Sequence, residues 1–224
     1  MNRDDKPITY TFDSPEIRAL CASDEKLAIL IRRYGDLTYS LHTDVFTFFV
    51  ETIIGQMLSN KAADSIAARL YAICGGRLST EAVLRFDREI LRGIGLSGRK
   101  AEYILQFAEM MRDVPDFFAR LEDASDRAII KCLTALHGIG TWSAKMYLIF
   151  VLGRLDVLPY EDGAFQQGYK WLYGTMDVKP AMIERKCESW RPYTSLAARY
   201  LYRALDEGLV RDVGLERQLR EELA

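Results

Sequence analysis

The sequence predicts an all-α fold of roughly ten helices, arranged as two packed helical lobes with a cleft between them. Three observations carry that expectation. Along most of the chain, apolar residues recur at three- and four-residue intervals, the spacing that puts them on one face of a helix. The alternation that marks a half-buried strand is confined to Thr9–Phe12, near the N-terminus. Two Gly-x-Gly turns, Gly93-Ile94-Gly95 and Gly138-Ile139-Gly140, each stand between helical patterns.

Residues 15–34 place Ile17, Leu20, Leu27, Leu30 and Ile31 on one stripe, with Ser14 as the N-cap and Pro15 in the first turn. Residues 44–58 are more apolar. Phe46, Phe49, Val50, Ile53, Ile54, Met57 and Leu58 make a face wide enough for a nearly buried central helix. An amphipathic helix follows over 62–74 and stops at Gly75-Gly76. Short helices are expected at 80–85 and 87–92, a longer one at 99–112 after the first Gly-x-Gly turn, and two more at 115–121 and 125–136. The pattern resumes at 163–173, 179–188 and 192–207, and the charged residues after Gly208 read as a terminal helix with no assigned role. The segments 38–44 and 153–160 are the expected lobe crossings.

With 224 residues the chain can bury a sizeable core. Its net charge of −2 gives no pointer to nucleic acid, nor does it exclude one, because a local basic face is what decides. Cys21, Cys74, Cys132 and Cys187 are scattered, which argues against a zinc or iron–sulfur site and for thiols of a reducing compartment. Met1–Pro7 lacks the apolar stretch of a signal peptide, and the apolar run Met146–Leu152 is too short to span a bilayer. No membrane partner and no cofactor is expected, and the expected compartment is the cytoplasm.

The chemistry is concentrated in residues 136–162. The turn at Gly138-Ile139-Gly140 presents bare backbone N–H groups at the start of a helix, an arrangement that suits a phosphate. One helix later, Leu158-Pro159-Tyr160-Glu161-Asp162-Gly163 places a carboxylate at the start of the next helix. An anion grip and a lone acid point to chemistry on a phosphate-bearing polymer. Two readings of Asp162 stand side by side: a plain N-cap, worth ~1 kcal/mol to its helix, or a carboxylate kept ionised for catalysis by the helix's positive end. Glu161 is a weaker second acid. The first Gly-x-Gly turn is either a tight helix connection or a second phosphate contact through Ser97, Arg99 and Lys100.

The run Leu136-His137-Gly138-Ile139-Gly140-Thr141-Trp142-Ser143-Ala144, followed by a helix and then Pro159-Tyr160-Glu161-Asp162, resembles the helix–hairpin–helix DNA glycosylase superfamily, in its 3-methyladenine glycosylase II branch. Gly55-Gln56-Met57-Leu58-Ser59, Gly95–Ala101 and Trp190-Arg191-Pro192-Tyr193-Thr194-Ser195 support the likeness. The resemblance implies one lobe of residues 43–157 holding the hairpin motif at about 128–152, and a second lobe of 1–42 plus 158–224 formed by both chain ends. It implies an active-site cleft between the lobes that receives a base flipped out of damaged double-stranded DNA. The protein is expected to be a monomer. The implied reaction is hydrolysis of the N-glycosidic bond of alkylated purines, of the 3-methyladenine and 7-methylguanine type, in base excision repair.

Residue by residue, the resemblance makes Asp162 the catalytic carboxylate, able to stabilise an oxocarbenium-like sugar. Trp142 stands where the lyase members carry a nucleophilic lysine. It cannot form a Schiff base, so the implied enzyme is a monofunctional glycosylase without lyase activity. Trp142, Tyr202 and Met146 are assigned to the base pocket, with a core role open for Trp142 and Tyr202. Gly138, Ile139, Gly140, Ser143 and Lys145 are assigned to DNA, and the main-chain carbonyls of Thr134, Leu136 and Gly138 to a monovalent cation. Met57 matches the wedge that fills the gap left by a flipped base, although it also fits the apolar face of its helix. Gly163-Ala164 after the acid, and Met146, depart from the bulky or aromatic residues usual there, and so alter the pocket wall. A glycosylase for another damaged base, or a non-catalytic protein that binds damaged DNA, remain as alternatives.

Overall fold

A computed structural model describes residues 7–208; the charged tail after Gly208 lies outside the described residues, as do residues 1–6. Among the described residues there are twelve α-helices, two 3-10 turns and one two-stranded sheet, in agreement with an all-α class. The chain divides into two compact units. One is His42–Tyr147; the other joins the residues up to Leu41 with those from Leu148 onward.

In the split unit, the predicted strand is β1, Ile8–Tyr10, and it pairs antiparallel with β2, Leu37–Tyr39, which has no alternation long enough to be read. The single helix expected over 15–34 is two, α1 (Pro15–Ser23) and α2 (Glu25–Tyr34). Asp24 interrupts it: its backbone is extended at φ −149°, and its Oδ1 accepts from the Leu27 N–H at 3.0 Å to cap α2. Ser14 holds the N-cap position of α1 but makes no capping bond, pairing instead with the Thr11 hydroxyl at 3.3 Å. The core joins Ile17, Leu20, Leu27, Leu30 and Ile31 to Phe165, Trp190, Leu196, Tyr200 and Leu201. Those partners lie on α10 (Gly163–Tyr173), the 3-10 turn Glu188–Trp190 that follows α11 (Pro180–Cys187), and α12 (Thr194–Asp206). Gly168 of α10 lies so close to α12 that an added Cβ would sit 3.0 Å from the Leu201 Cβ.

Asp24 also ties this unit together. Its Oδ2 accepts from the Tyr173 hydroxyl and, at 3.3 Å, from the Trp190 indole N–H, with the Lys186 ammonium 3.9 Å away. A buried carboxylate is tolerable because its oxygens are hydrogen-bonded and a cation is near. Burial and the Asp24 charge push the Tyr173 hydroxyl far above its ordinary range.

The continuous unit holds α3 (Val45–Gly55), α4 (Asn60–Ile73), α5 (Thr80–Val83), α6 (Arg88–Gly93), α7 (Gly98–Asp113), α8 (Asp126–Leu133) and the start of α9 (Thr141–Phe150). Asp44, Ser59, Ser79, Asp87, Ser97 and Ser125 each cap the helix that follows through a side-chain oxygen. Phe49 sits at the centre of an aromatic cluster, its ring 5.3 Å from Phe107, 5.4 Å from Phe118 and 5.5 Å from Tyr147. The helix expected over 115–121 is only a 3-10 turn, Ala119–Leu121. The helix expected over 44–58 ends at Gly55, so Met57 and Leu58 leave the apolar face and are exposed at 101% and 39%.

Candidate nucleic-acid interface and catalytic carboxylate

The hairpin lies between α8 and α9. Gly138 adopts φ +82°, a conformation costly to any residue with a Cβ, and an added Cβ would meet the Tyr103 ring at 2.6 Å. Gly140 differs. A Cβ there would meet nothing within 4 Å, so the protein's own packing does not require a bare backbone at this exposed position. The Gly140 carbonyl accepts the Ala144 N–H at 3.0 Å, opening α9 and leaving the N–H groups of its first turn outside the helical ladder.

Burial sorts the other residues expected at this surface. Ile139 is 4% exposed and anchors the turn by its side chain, so only its backbone is available to DNA. Ser143 is 1% exposed with its hydroxyl turned inward and unpartnered, which removes that hydroxyl from any phosphate contact. Lys145 is buried and already has its own interactions, so it is not a surface cation. Two of the three carbonyls assigned to a monovalent cation already accept one hydrogen bond each, which leaves each a second lone pair. The Gly138 carbonyl accepts from the Gln56 amide at 2.8 Å and the Leu136 carbonyl from the Ile139 N–H at 3.2 Å. Among the described residues no cluster of His, Cys, Asp or Glu can hold a metal ion.

The loop after α3 is the least expected part. Met57 is the only non-glycine described residue in the left-handed region, at φ +57°, and its side chain lies wholly in solvent. That backbone costs about 1 kcal/mol, with no burial to offset it. The preceding residues are held firmly. The Lys100 ammonium, on the first turn of α7, donates to the Ile54 carbonyl at 2.8 Å and the Gln56 carbonyl at 2.6 Å. Burial pulls its pKa below the ordinary lysine value. Lys100 is therefore committed to the fold and is not the free phosphate ligand its place after the first Gly-x-Gly turn suggested; Ser97 caps α7.

In the split unit, the residues before α10 place the carboxylate. Asp156 accepts from the Arg191 guanidinium at 2.6 Å and the Thr194 hydroxyl at 2.9 Å, and the Val157 N–H donates to the Ser195 hydroxyl at 2.9 Å. The Trp190–Ser195 segment thus pins the strap that runs to the acid. Asp162 caps α10, its Oδ1 accepting the Phe165 N–H at 2.7 Å, and is 8% exposed. Tyr202, on α12, points its buried hydroxyl toward that carboxylate without a well-formed hydrogen bond. Burial first, then the Asp162 charge, pushes the Tyr202 hydroxyl well above its ordinary pKa. Behind it, the Phe150 ring lies 5.9 Å from Tyr202, and the buried Arg199 guanidinium is sandwiched between Phe150 at 4.7 Å and Tyr39 at 3.5 Å. Gly163, next to the acid, has open space where a side chain would project.

Trp142 is half-buried at the start of α9 and Met146 is 6% exposed, a packed side chain rather than an open wall. Sequence reasoning assigned no role to Gln56, Tyr103 or Arg199, and took Asp24 as helical. Each acts through a contact 35 or more residues away in the chain, which one helix's pattern does not display.

A capped, shielded carboxylate and a glycine hairpin opening a helix are the two features that mark the site. Residues 50–192 match the family described as HhH-GPD superfamily base excision DNA repair protein, and the chain belongs to that family. It is 32% identical over 185 residues to DNA-3-methyladenine glycosylase 1 of Schizosaccharomyces pombe, covering 80% of each chain. The crystal structure of DNA-3-methyladenine glycosidase from Bacillus halodurans matches with a TM-score of 0.75 at 37% identity, covering 88% of this chain and 92% of that one. The S. pombe 3-methyladenine DNA glycosylase in complex with abasic DNA matches with a TM-score of 0.72 at 28% identity, covering 84% and 95%.

Proposed function

We propose that this protein is a monofunctional DNA glycosylase that releases alkylated purines from double-stranded DNA. The observation that carries the reading is Asp162: a carboxylate whose one oxygen is fixed by a helix N–H while a buried tyrosine hydroxyl faces it. In the reaction the bond between the base nitrogen and C1′ breaks and its electron pair leaves with the base. Water then bonds to C1′ and gives up a proton, and an abasic sugar remains. Asp162 stabilises the positive charge that builds on the sugar. A purine alkylated at N3 or N7 is already cationic and departs as a neutral base, so no general acid is needed. Trp142 has no amine for a Schiff base, so the strand is left uncut, and its indole face suits a cationic ring.

On the DNA side, Gly140 and the first turn of α9 offer N–H groups to a backbone phosphate. Met57 is the wedge: exposed, apolar and held out on a strained backbone. No described helix is long and apolar enough to cross a membrane. The four cysteines are free thiols, which suits a reducing compartment such as the cytoplasm. The test is incubation with methylated duplex DNA. Free 3-methyladenine or 7-methylguanine should appear, with strand breaks only after alkali. No free base, or cleavage before alkali, overturns the proposal.

A further inference from the structure

One face of α7 carries Lys100, Tyr103 and Gln106, three residues apart. Lys100 grips the end of α3 through the Ile54 and Gln56 carbonyls. Tyr103 packs its ring under Gly138, and Gln106 binds His137 Nδ1 at 2.9 Å. A second tie runs directly between the loops, from the Gln56 amide to the Gly138 carbonyl at 2.8 Å. The loop that presents Met57 and the turn that presents Gly140 therefore share one support, although 82 residues separate Gln56 from Gly138.

We propose that this stripe fixes the wedge and the hairpin as one piece, with Lys100 as the positioning residue for Met57. It rests on the reading of Met57 as the wedge. The Gln56 carbonyl belongs to the peptide that leads into Met57, so the ammonium on that oxygen sets the plane from which the methionine departs. Without it the turn is held only by the Leu58 N–H on the Gly55 carbonyl at 3.1 Å and by the Gln56 side-chain tether, so Met57 relaxes more readily from φ +57° toward an extended backbone and its side chain swings away. The Gln56 tether fixes how far the wedge stands from the phosphate-binding turn. A base-flipping protein needs that distance constant, because the wedge must enter the stack at a set offset from the gripped phosphate.

The test is a double-mutant cycle on two duplexes, one undamaged and one carrying a tetrahydrofuran abasic analogue beside 2-aminopurine. Met57→Ala and Lys100→Met should each weaken binding to the abasic duplex about tenfold and change the 2-aminopurine signal alike, while binding to undamaged duplex stays within about twofold. The double variant should be no worse than the weaker single one, and Lys100→Arg should restore binding. If Lys100→Met does not fold, Gln56→Ala on the half-exposed loop replaces it in the cycle, with the same non-additivity expected. An effective Met57→Ala alongside a silent or fully additive Lys100→Met, or Gln56→Ala in its place, overturns the coupling and leaves the wedge standing. A Met57→Ala variant that discriminates normally removes the wedge, and the coupling with it. Equal loss on both duplexes also overturns the coupling, since it means the turn alone was damaged.

Discussion

Replacing Asp162 with Asn separates its charge from its role as a cap. Asn ranks with Asp at the N-cap, so the Phe165 N–H keeps an acceptor where it now finds one at 2.7 Å. The attraction between a carboxylate and the helix's positive end is lost, about 0.5 kcal/mol. Asp162→Ala loses the cap as well, about 1 kcal/mol more, which for a chain of this size is a further 2–4 °C or so in Tm. Catalysis should divide differently. A group that stabilises developing charge is worth roughly 10²–10³ in rate, and both variants lack it equally. Base release from methylated DNA under single-turnover conditions should therefore fall about equally in the two, while differential scanning calorimetry tells them apart. The Asn variant should also let Tyr202 titrate closer to the ordinary tyrosine range, since the Asp162 charge helps hold it up. If Asp162→Asn keeps its rate within about tenfold, the carboxylate does not stabilise the sugar cation.

Three further outcomes are expected. Gly138→Ala combines a positive φ with a Cβ 2.6 Å from the Tyr103 ring and should cost about 3 kcal/mol in denaturant unfolding; Gly140→Ala should unfold normally but bind duplex more weakly, and a Gly140→Ala variant of unchanged affinity removes that glycine from the interface. Asp24→Ala leaves the Tyr173 hydroxyl and the Trp190 N–H without their acceptor and should lower stability by about 3 kcal/mol, read from the urea midpoint at constant slope. Burial pushes Tyr39 and Tyr200 up to about 12 from 10.0, so the fold prefers their neutral forms. Their contribution is complete below pH 10.0 and is lost as pH rises toward about 12, so Tm should stay level through neutral pH and fall within that window.

What the sequence made legible was local. Asp162 before Gly163 marks a cap, and α10 runs over the expected 163–173 because the cap, the periodic face and the closing Gly174 all lie within one element. The break at Asp24 was hidden because Leu20, Leu27, Leu30 and Ile31 suit one continuous stripe, and an interruption of one residue leaves that pattern readable. Met57 was misplaced for the same reason: its spacing continues the apolar face of α3 after the helix has ended at Gly55. Strand β2 has three residues, too few to show a period. Ser143 and Lys145 look like surface groups by type, and only the packing of α9 shows that both are buried. The Lys100 and Gln56 contacts join residues 44 and 82 positions apart, and nothing in the intervening chain signals them.

The division of the chain has a consequence for its birth on the ribosome. His42–Tyr147 is one uninterrupted stretch and can close its aromatic cluster as soon as it emerges. The opening residues cannot do the same. Ile17, Leu27 and Leu30 find Phe165 and Leu201 only after the rest has been translated, and the Gly35 carbonyl waits for the Tyr200 hydroxyl, which donates to it at 2.9 Å. Throughout that interval a nascent greasy surface stands uncovered, and this is the stage at which a holdase has most to protect.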